Sequence, residues 1–237
     1  MKYIKKLFTC LAVTAVNIFF AGIIIAGQEP EAQIILEKYE YYSHNITRQI
    51  SFLEDREGIV NLPDILAGKF DRDFFFIDQK SPSLTLKKEG INVWGKVNFS
   101  NPGTKKIPLI LEHHSALTNH VILYSPDGSG NYRETASAGD RIAFSKREIK
   151  YRYPAMKLEI PEGKSTFFIK MNQSVPYSLS FALWTPQRFH ENAMSDYVSL
   201  GLLYGFLLVM MGYNAFLYLS FKSWDYLFFV LYIFFFL

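Results

Sequence analysis

The sequence has few of the residues that would carry chemistry. Its 237 residues include one cysteine, Cys10, inside the first hydrophobic run. Everything downstream is free of thiols, which excludes a disulfide framework, a cysteine zinc cluster and a cysteine nucleophile. "LFTC" is a poor lipoprotein signal, because Thr9 is larger than the small residue expected before a lipidated cysteine and the cysteine comes early. Charge of one sign is also scarce. The 25 Lys and Arg against 22 Asp and Glu leave a net +3, spread along the chain, which gives no nucleic-acid footprint. No GxSxG, P-loop or dinucleotide fingerprint occurs. No carboxylate pair stands in a recognisable glycosidase context. Nothing in the sequence supports an enzyme, and no cofactor is expected.

What the chain does have is apolar sequence at both ends. "MKYIKKLFTCLAVTAVNIFFAGIIIAGQEP" places Lys2, Lys5 and Lys6 before an apolar run from Leu7 to Ala26, the layout of a secretory signal. The run is long for a signal, so residues 1–27 read as a signal peptide or an uncleaved signal anchor. Either way residue 28 onward is exported and the lysines stay inside. Near the other end, Tyr197 to Leu219 is 23 residues without a charge, about 34 Å of helix and long enough to span a bilayer. Gly201, Gly205 and Gly212 fall within about 40° of one another on a helical wheel. They predict a helix-packing stripe, with Asn214 on nearly the opposite side for an interhelical hydrogen bond. After the short loop "FKSWD" a second apolar run, 226–237, reads as a returning helix that stops about halfway across.

Between residues 28 and 194 helical periodicity is scarce. Only "NLPDILAGKF" reads as a helix, with Asn61 as its cap and Pro63 in the first turn. The remainder breaks into short β-rich runs: "RQISFL", "FFFID", "SLTL", "NVWGKVNFS", "IPLILEHH", "NHVILYS", "RIAF", "AMKLEI", "STFFIKM" and "YSLSFALW". "NPG", "DGSG", "AGD" and "PEG" separate them. About ten strands with short connections predict a mostly β domain, a jelly-roll-like antiparallel sandwich. "PQRFHENAMSD" reads as a short polar join to the membrane.

Candidate sites are sparse. His113 and His114 are strand neighbours pointing to opposite faces, so they cannot chelate one ion. Glu112 and His114 would share a face, but two ligands do not make a metal centre, and none is expected. "DGSGNYRETASA" begins like a calcium loop but lacks Gly at its sixth position and Glu at its twelfth, so it reads as a hairpin turn. Trp94 and Lys96 would share one strand face, where Trp94 is either core or a platform on which a sugar could stack.

Several stretches occur together in order: "SFLEDREGIVNLPDIL", "NVWGKVNFSN", "AGDRIAFSKREIKYRYPAMKLEI" and "GLLYGFLLVMMGYNAFLYLSFKSWDYLFFVLY". They include Glu54–Asp55 closing an early strand and a Trp-led strand from Trp94 to Asn101. Gly139–Asp140 then precedes Phe144, Ser145 and Arg147, and the membrane helix carries Tyr213–Asn214 and Leu217–Tyr218. Over roughly residues 45–237 the chain resembles the bacterial seven-transmembrane receptors with diverse intracellular signalling modules. Gly95 departs from that pattern, standing where the family tends to have a larger apolar residue.

The resemblance implies an extracytoplasmic jelly-roll sensor over 28–194, similar to carbohydrate-binding modules, with the start of a seven-helix membrane domain over 195–237. It further implies a small-molecule ligand, with a sugar as the candidate, and partners in the lipid bilayer, the remaining membrane helices and an output module supplied elsewhere. The location would be the bacterial cytoplasmic membrane. Trp94, Lys96, His114 and Arg147 are the expected ligand residues. The leading expectation is therefore the sensor part of a signalling receptor, truncated before its output; the alternative is a stand-alone membrane-tethered binding or assembly protein.

Overall fold

Strand alternation organises the domain. A computed structural model describes residues 33–36, 43–77, 84–86, 91–172 and 177–236; the proposed signal segment, residues 1–27, lies outside them. The larger sheet contains β1 (Gln33–Ile35), β3 (Ile50–Asp55), β4 (Phe75–Phe76), β6 (Asn92–Asn101), β8 (His120–Pro126), β9 (Tyr132–Ala138) and β11 (Gly163–Asn172). It runs β4-β3-β6-β11-β8-β9, and β1 pairs in parallel with the far end of β6. The facing sheet is β10 (Ala155–Ile160), β7 (Ile107–His113), β13 (Phe181–Trp184) and β2 (Ser43–Asn45), in that order. A separate pair joins β5 (Leu84–Leu86) to β12 (Tyr177–Leu179). Apart from β1, every pairing between these strands is antiparallel.

The core lies between the two sheets. Val93, Val97 and Phe99 of β6 and Phe167, Ile169 and Met171 of β11 point inward from one side. Ile107, Leu109 and Leu111 of β7 with Phe181 and Leu183 of β13 point inward from the other. Both sets follow the two-residue period, which turns Trp94, Lys96 and Asn98 toward the outer face. Gly95 is inward too. A Cβ there would stand 3.1 Å from the Ile50 methyl, so Ile50 and Phe52 fill the space that a larger side chain would take.

The short helix α1 (Leu62–Leu66) starts as the sequence predicts: the Asn61 side chain accepts from the Asp64 N–H at 2.9 Å, and Pro63 stands in the first turn. Other expectations are corrected. "RIAF" is not a strand. Residues 139–154 run as turns with a 3₁₀ turn over Phe144–Lys146. Residues 132–138 of the "DGSGNYRETASA" stretch form the partner strand of β8. The Asp127 carboxylate closes the hairpin by accepting from the N–H groups of Ser129 and Asn131.

The polar join is helical. Helix α2 spans Pro186–Phe221, with Pro186 at its first position. It is the one helix among the described residues long and apolar enough to cross a membrane, and its apolar window is fully unburied. The helix ends at Lys222, whose left-handed backbone (φ 56°) lets its N–H bond the Tyr218 carbonyl. After Ser223, α3 (Trp224–Phe236) turns back, and Trp224 and Tyr226 meet Tyr218 and Phe221. Asn214 donates to the Met210 carbonyl of its own helix at 2.8 Å. Beside Gly201, Gly205 and Gly212 the described residues leave open space.

Candidate functional site

The outer face of the larger sheet carries an aromatic and cationic shelf. Register places Leu53, Trp94, Lys170 and Ile122 in one row, and Ser51, Lys96, Phe168 and Tyr124 in the next. Trp94 and Tyr124 stack at 5.7 Å, the Lys170 ammonium lies 5.1 Å over the indole, and Tyr132 meets Phe168 edge-on at 5.1 Å. The 56–74 segment folds over one side, packing Val60, Ile65, Phe70 and Phe74 against Leu53, Trp94 and Phe168. Trp94 is consequently only 1% exposed, and its Nε1–H has no hydrogen-bond partner among the described residues. Tyr124 and Tyr132 are left half-buried at the open side, their phenols held above the ordinary range by burial. There they remain hydrogen-bond donors at any physiological pH. Further along, Thr166 donates to Asn98 at 2.8 Å. Both line a recess of about 290 Å³ with Gln33 and Lys164. Flat rings beside amide, hydroxyl and ammonium groups suit a polar ligand with some C–H surface.

The opposite sheet is fastened to α2. Outward-facing Ile110 and Ala155, with Tyr151 and Phe189, form a buried cluster against which Tyr153, Trp184 and Ala193 pack. Phe189, in the first turn of α2, meets Tyr151 at 5.0 Å and Trp184 at 6.5 Å. The Tyr151 hydroxyl donates to Asp196 at 2.5 Å, Arg152 pairs with the same carboxylate at 2.9 Å, and the Tyr197 hydroxyl donates to the Lys150 carbonyl at 3.4 Å. Burial first, and the Asp196 acceptor second, keep the Tyr151 phenol far above its usual range. Below this cluster the Glu112 carboxylate is 1% exposed, a costly state unless paired. It accepts from the Trp184 indole at 2.7 Å and lies 3.0 Å from His114 Nε2.

The four residues expected to bind ligand are thus split between the two sides. Trp94 and Lys96 share the outer face of the larger sheet. Trp94 lies beneath Tyr124 and the 56–74 segment, so the exposed aromatic surface belongs to Tyr124 and Tyr132. His114 lies beyond β7 on the opposite sheet, paired with Glu112 and tilted against Tyr153. Arg147 braces its loop, donating to the carbonyls of Ile142 at 3.2 Å and Tyr151 at 3.4 Å. His113 points into the core, where its ring nitrogens lie 3.1 Å from the Ser180 carbonyl and 2.9 Å from the Thr118 hydroxyl. Burial lowers its pKa to about 4, so it is neutral. Among the described residues no three His, Cys, Asp or Glu side chains are placed to hold a metal ion.

The junction escaped sequence reading because its members, Glu112, Tyr151, Trp184, Phe189 and Asp196, are scattered over 85 positions. The one available signal was the phenylalanine set in an otherwise polar join.

The family model described as 7TMR-DISM extracellular 2 matches residues 47–185. No curated protein matches the chain. Among solved structures, TmCBM61 in complex with β-1,4-galactotriose aligns over 62% of this chain and 88% of its own, at 10% identity and a TM-score of 0.29. The Epa9A adhesin domain of Candida glabrata, in complex with Galβ1-4GlcNAc, aligns over 58% and 80%, at 9% identity and a TM-score of 0.28. The family match runs from the turn before β3 through the end of β13, leaving β1 and β2 outside it, and the matched range contains the Glu54–Asp55 and Gly139–Asp140 pairs. The chain belongs to the 7TMR-DISM extracellular 2 family, the extracellular domain of a class of membrane receptors.

Proposed function

We propose that residues 28–194 are the sensor domain of a bacterial transmembrane receptor, binding a small molecule of the saccharide class. Helix α2 carries the response into the membrane. The observation supporting this reading is the docking of α2 on the sandwich: Phe189 is 2% exposed in a cluster shared with the domain, and Asp196 is tied to Tyr151 and Arg152. A flexible tether would need none of these contacts. Ligand enters on the opposite sheet, at the shelf of Tyr124, Tyr132, Lys96 and Lys170, with Trp94 as its buried support and Asn98 and Thr166 beside it. Rings stack on sugar C–H faces while ammonium, amide and hydroxyl groups take the sugar's oxygens. Residues 195–237 begin the membrane domain in the bilayer of the cytoplasmic membrane, and signal passes to the remaining helices and output module of the receptor.

The test uses the full chain in lipid nanodiscs, screened by thermal shift against neutral and acidic mono- and oligosaccharides. A ligand at 100 times its Kd stabilises the fold by about 2.7 kcal/mol, a shift of several degrees. Tyr132→Ala and Lys170→Ala should remove that shift while the unliganded protein still unfolds cooperatively. Bound ligand should also change amide exchange in residues 186–197. Binding that leaves that segment untouched would favour the tethered binding protein over the receptor sensor. A shift that survives both variants would place the ligand elsewhere.

A further inference from the structure

The motif around Gly139–Asp140 and Arg147 takes no part in the ligand shelf, yet it lies beside the membrane helix. Residues 139–153 carry five cations, Arg141, Lys146, Arg147, Lys150 and Arg152, against Asp140 and Glu148. Two of the cations are engaged: Arg147 on backbone carbonyls and Arg152 on Asp196. Glu148 is paired with Lys157 at 3.2 Å. Arg141, Lys146 and Lys150 are exposed, and no carboxylate among the described residues pairs with them. Between them Phe144 presents an apolar ring that is 52% exposed, with the Arg147 guanidinium 5.6 Å from its centroid.

Position gives this patch its meaning. The Lys150 carbonyl is held by the Tyr197 hydroxyl, and the Tyr151 and Tyr197 rings meet at 6.1 Å. Tyr197 opens the 23-residue uncharged run. That run is about 34 Å long against about 30 Å of hydrocarbon, so its first residue falls in the headgroup layer, about 5–7 Å thick. Tyrosine favours that level.

We infer that residues 141–150 form a foot that rests on the outer membrane–water interface, with Arg141, Lys146 and Lys150 on anionic phospholipid headgroups and Phe144 inserted among them. Three exposed cations complement phosphate, and one exposed ring beside them supplies the apolar anchor that a purely electrostatic contact lacks. The foot sets the height of the sandwich above the bilayer. The inference rests on α2 crossing the membrane.

The experiment uses the full chain with Cys10→Ser, reconstituted in nanodiscs of phosphatidylcholine alone or with about one-third phosphatidylglycerol. Fluorophores are placed at Ser145→Cys, at Ser129→Cys on the opposite end of the β8–β9 hairpin, and at Leu208→Cys within α2. Quenchers are carried on lipid headgroups or mid-chain. In discs containing phosphatidylglycerol, headgroup quenching should be strong at position 145 and absent at 129. The ratio of contacting to free foot should fall about fivefold for each cation removed in Lys146→Gln and Lys150→Gln (~1 kcal/mol each). Phe144→Ala should weaken contact in both lipids. The foot is refuted if position 145 is quenched no more than 129, or if quenching is equal in the two lipids and indifferent to both lysine variants. A lack of mid-chain quenching at 208 would remove the membrane-spanning reading itself. Quenching at 208 without quenching at 145 removes the foot alone.

Discussion

Replacing Phe189 by alanine tests whether α2 is docked or merely attached. Its ring is 2% exposed, with Tyr151 edge-on at 5.0 Å and Trp184 at 6.5 Å. Phenylalanine-to-alanine changes at buried sites cost about 3–5 kcal/mol. The lower value applies here, since the cluster lies at the rim of the domain and can close partly over the gap. Phe189 belongs to the junction cluster and not to the inter-sheet core, so the loss falls on docking. About 3 kcal/mol corresponds to roughly a hundredfold increase in the undocked population. Hydrogen exchange of the full chain in nanodiscs should therefore show residues 186–197 exchanging about a hundredfold faster. The sandwich should keep its melting temperature within about 2 °C. Phe189→Leu, which keeps most of the volume, should retain most of the protection. Two results would refute the reasoning. Unchanged exchange at 186–197 would mean the contacts hold nothing. Equal loss of protection across β7, β10 and β13 would make Phe189 ordinary core.

Gly139→Ala should cost at least about 3 kcal/mol in denaturant unfolding of the sandwich. The backbone there has φ +145°, and a Cβ would lie 2.2 Å from the Asn119 carbonyl oxygen, with only backbone to move. His113 sets an acid limit. Its folded pKa of about 4 lies below the unfolded value of about 6.5, so the unfolded chain takes up the proton first and stability falls as pH drops from 6.5 to 4. At about 1.4 kcal/mol per pH unit the loss is about 3 kcal/mol. His113→Gln should flatten that slope, and an unaltered slope would assign it to other groups. Alkaline phosphatase fused after Trp184 should be active and fused after Lys222 inactive, and the reverse pattern would invert the topology.

Local patterns carried much of the architecture. The uncharged 197–219 run specified a membrane-length helix, since backbone groups in hydrocarbon must be bonded within the segment. Alternation put Trp94 and Lys96 on one face of β6, and turn residues marked most strand ends, because pleat and turn geometry depend on neighbours in sequence. What depended on distant neighbours was decided by the tertiary structure. Trp94 is a buried support because Phe70 and Phe74 of the 56–74 segment and Tyr124 of β8, both remote from it in sequence, close over it. Glycine is required at position 139 because the Asn119 backbone passes against it. "RIAF" has a strand's apolar content, yet residues 139–154 turn beside α2, held by Arg147 and the Asp196 ties. The polar join is helical because Phe189 gains burial between Tyr151 and Trp184, a gain that its own ten neighbours in sequence could not supply.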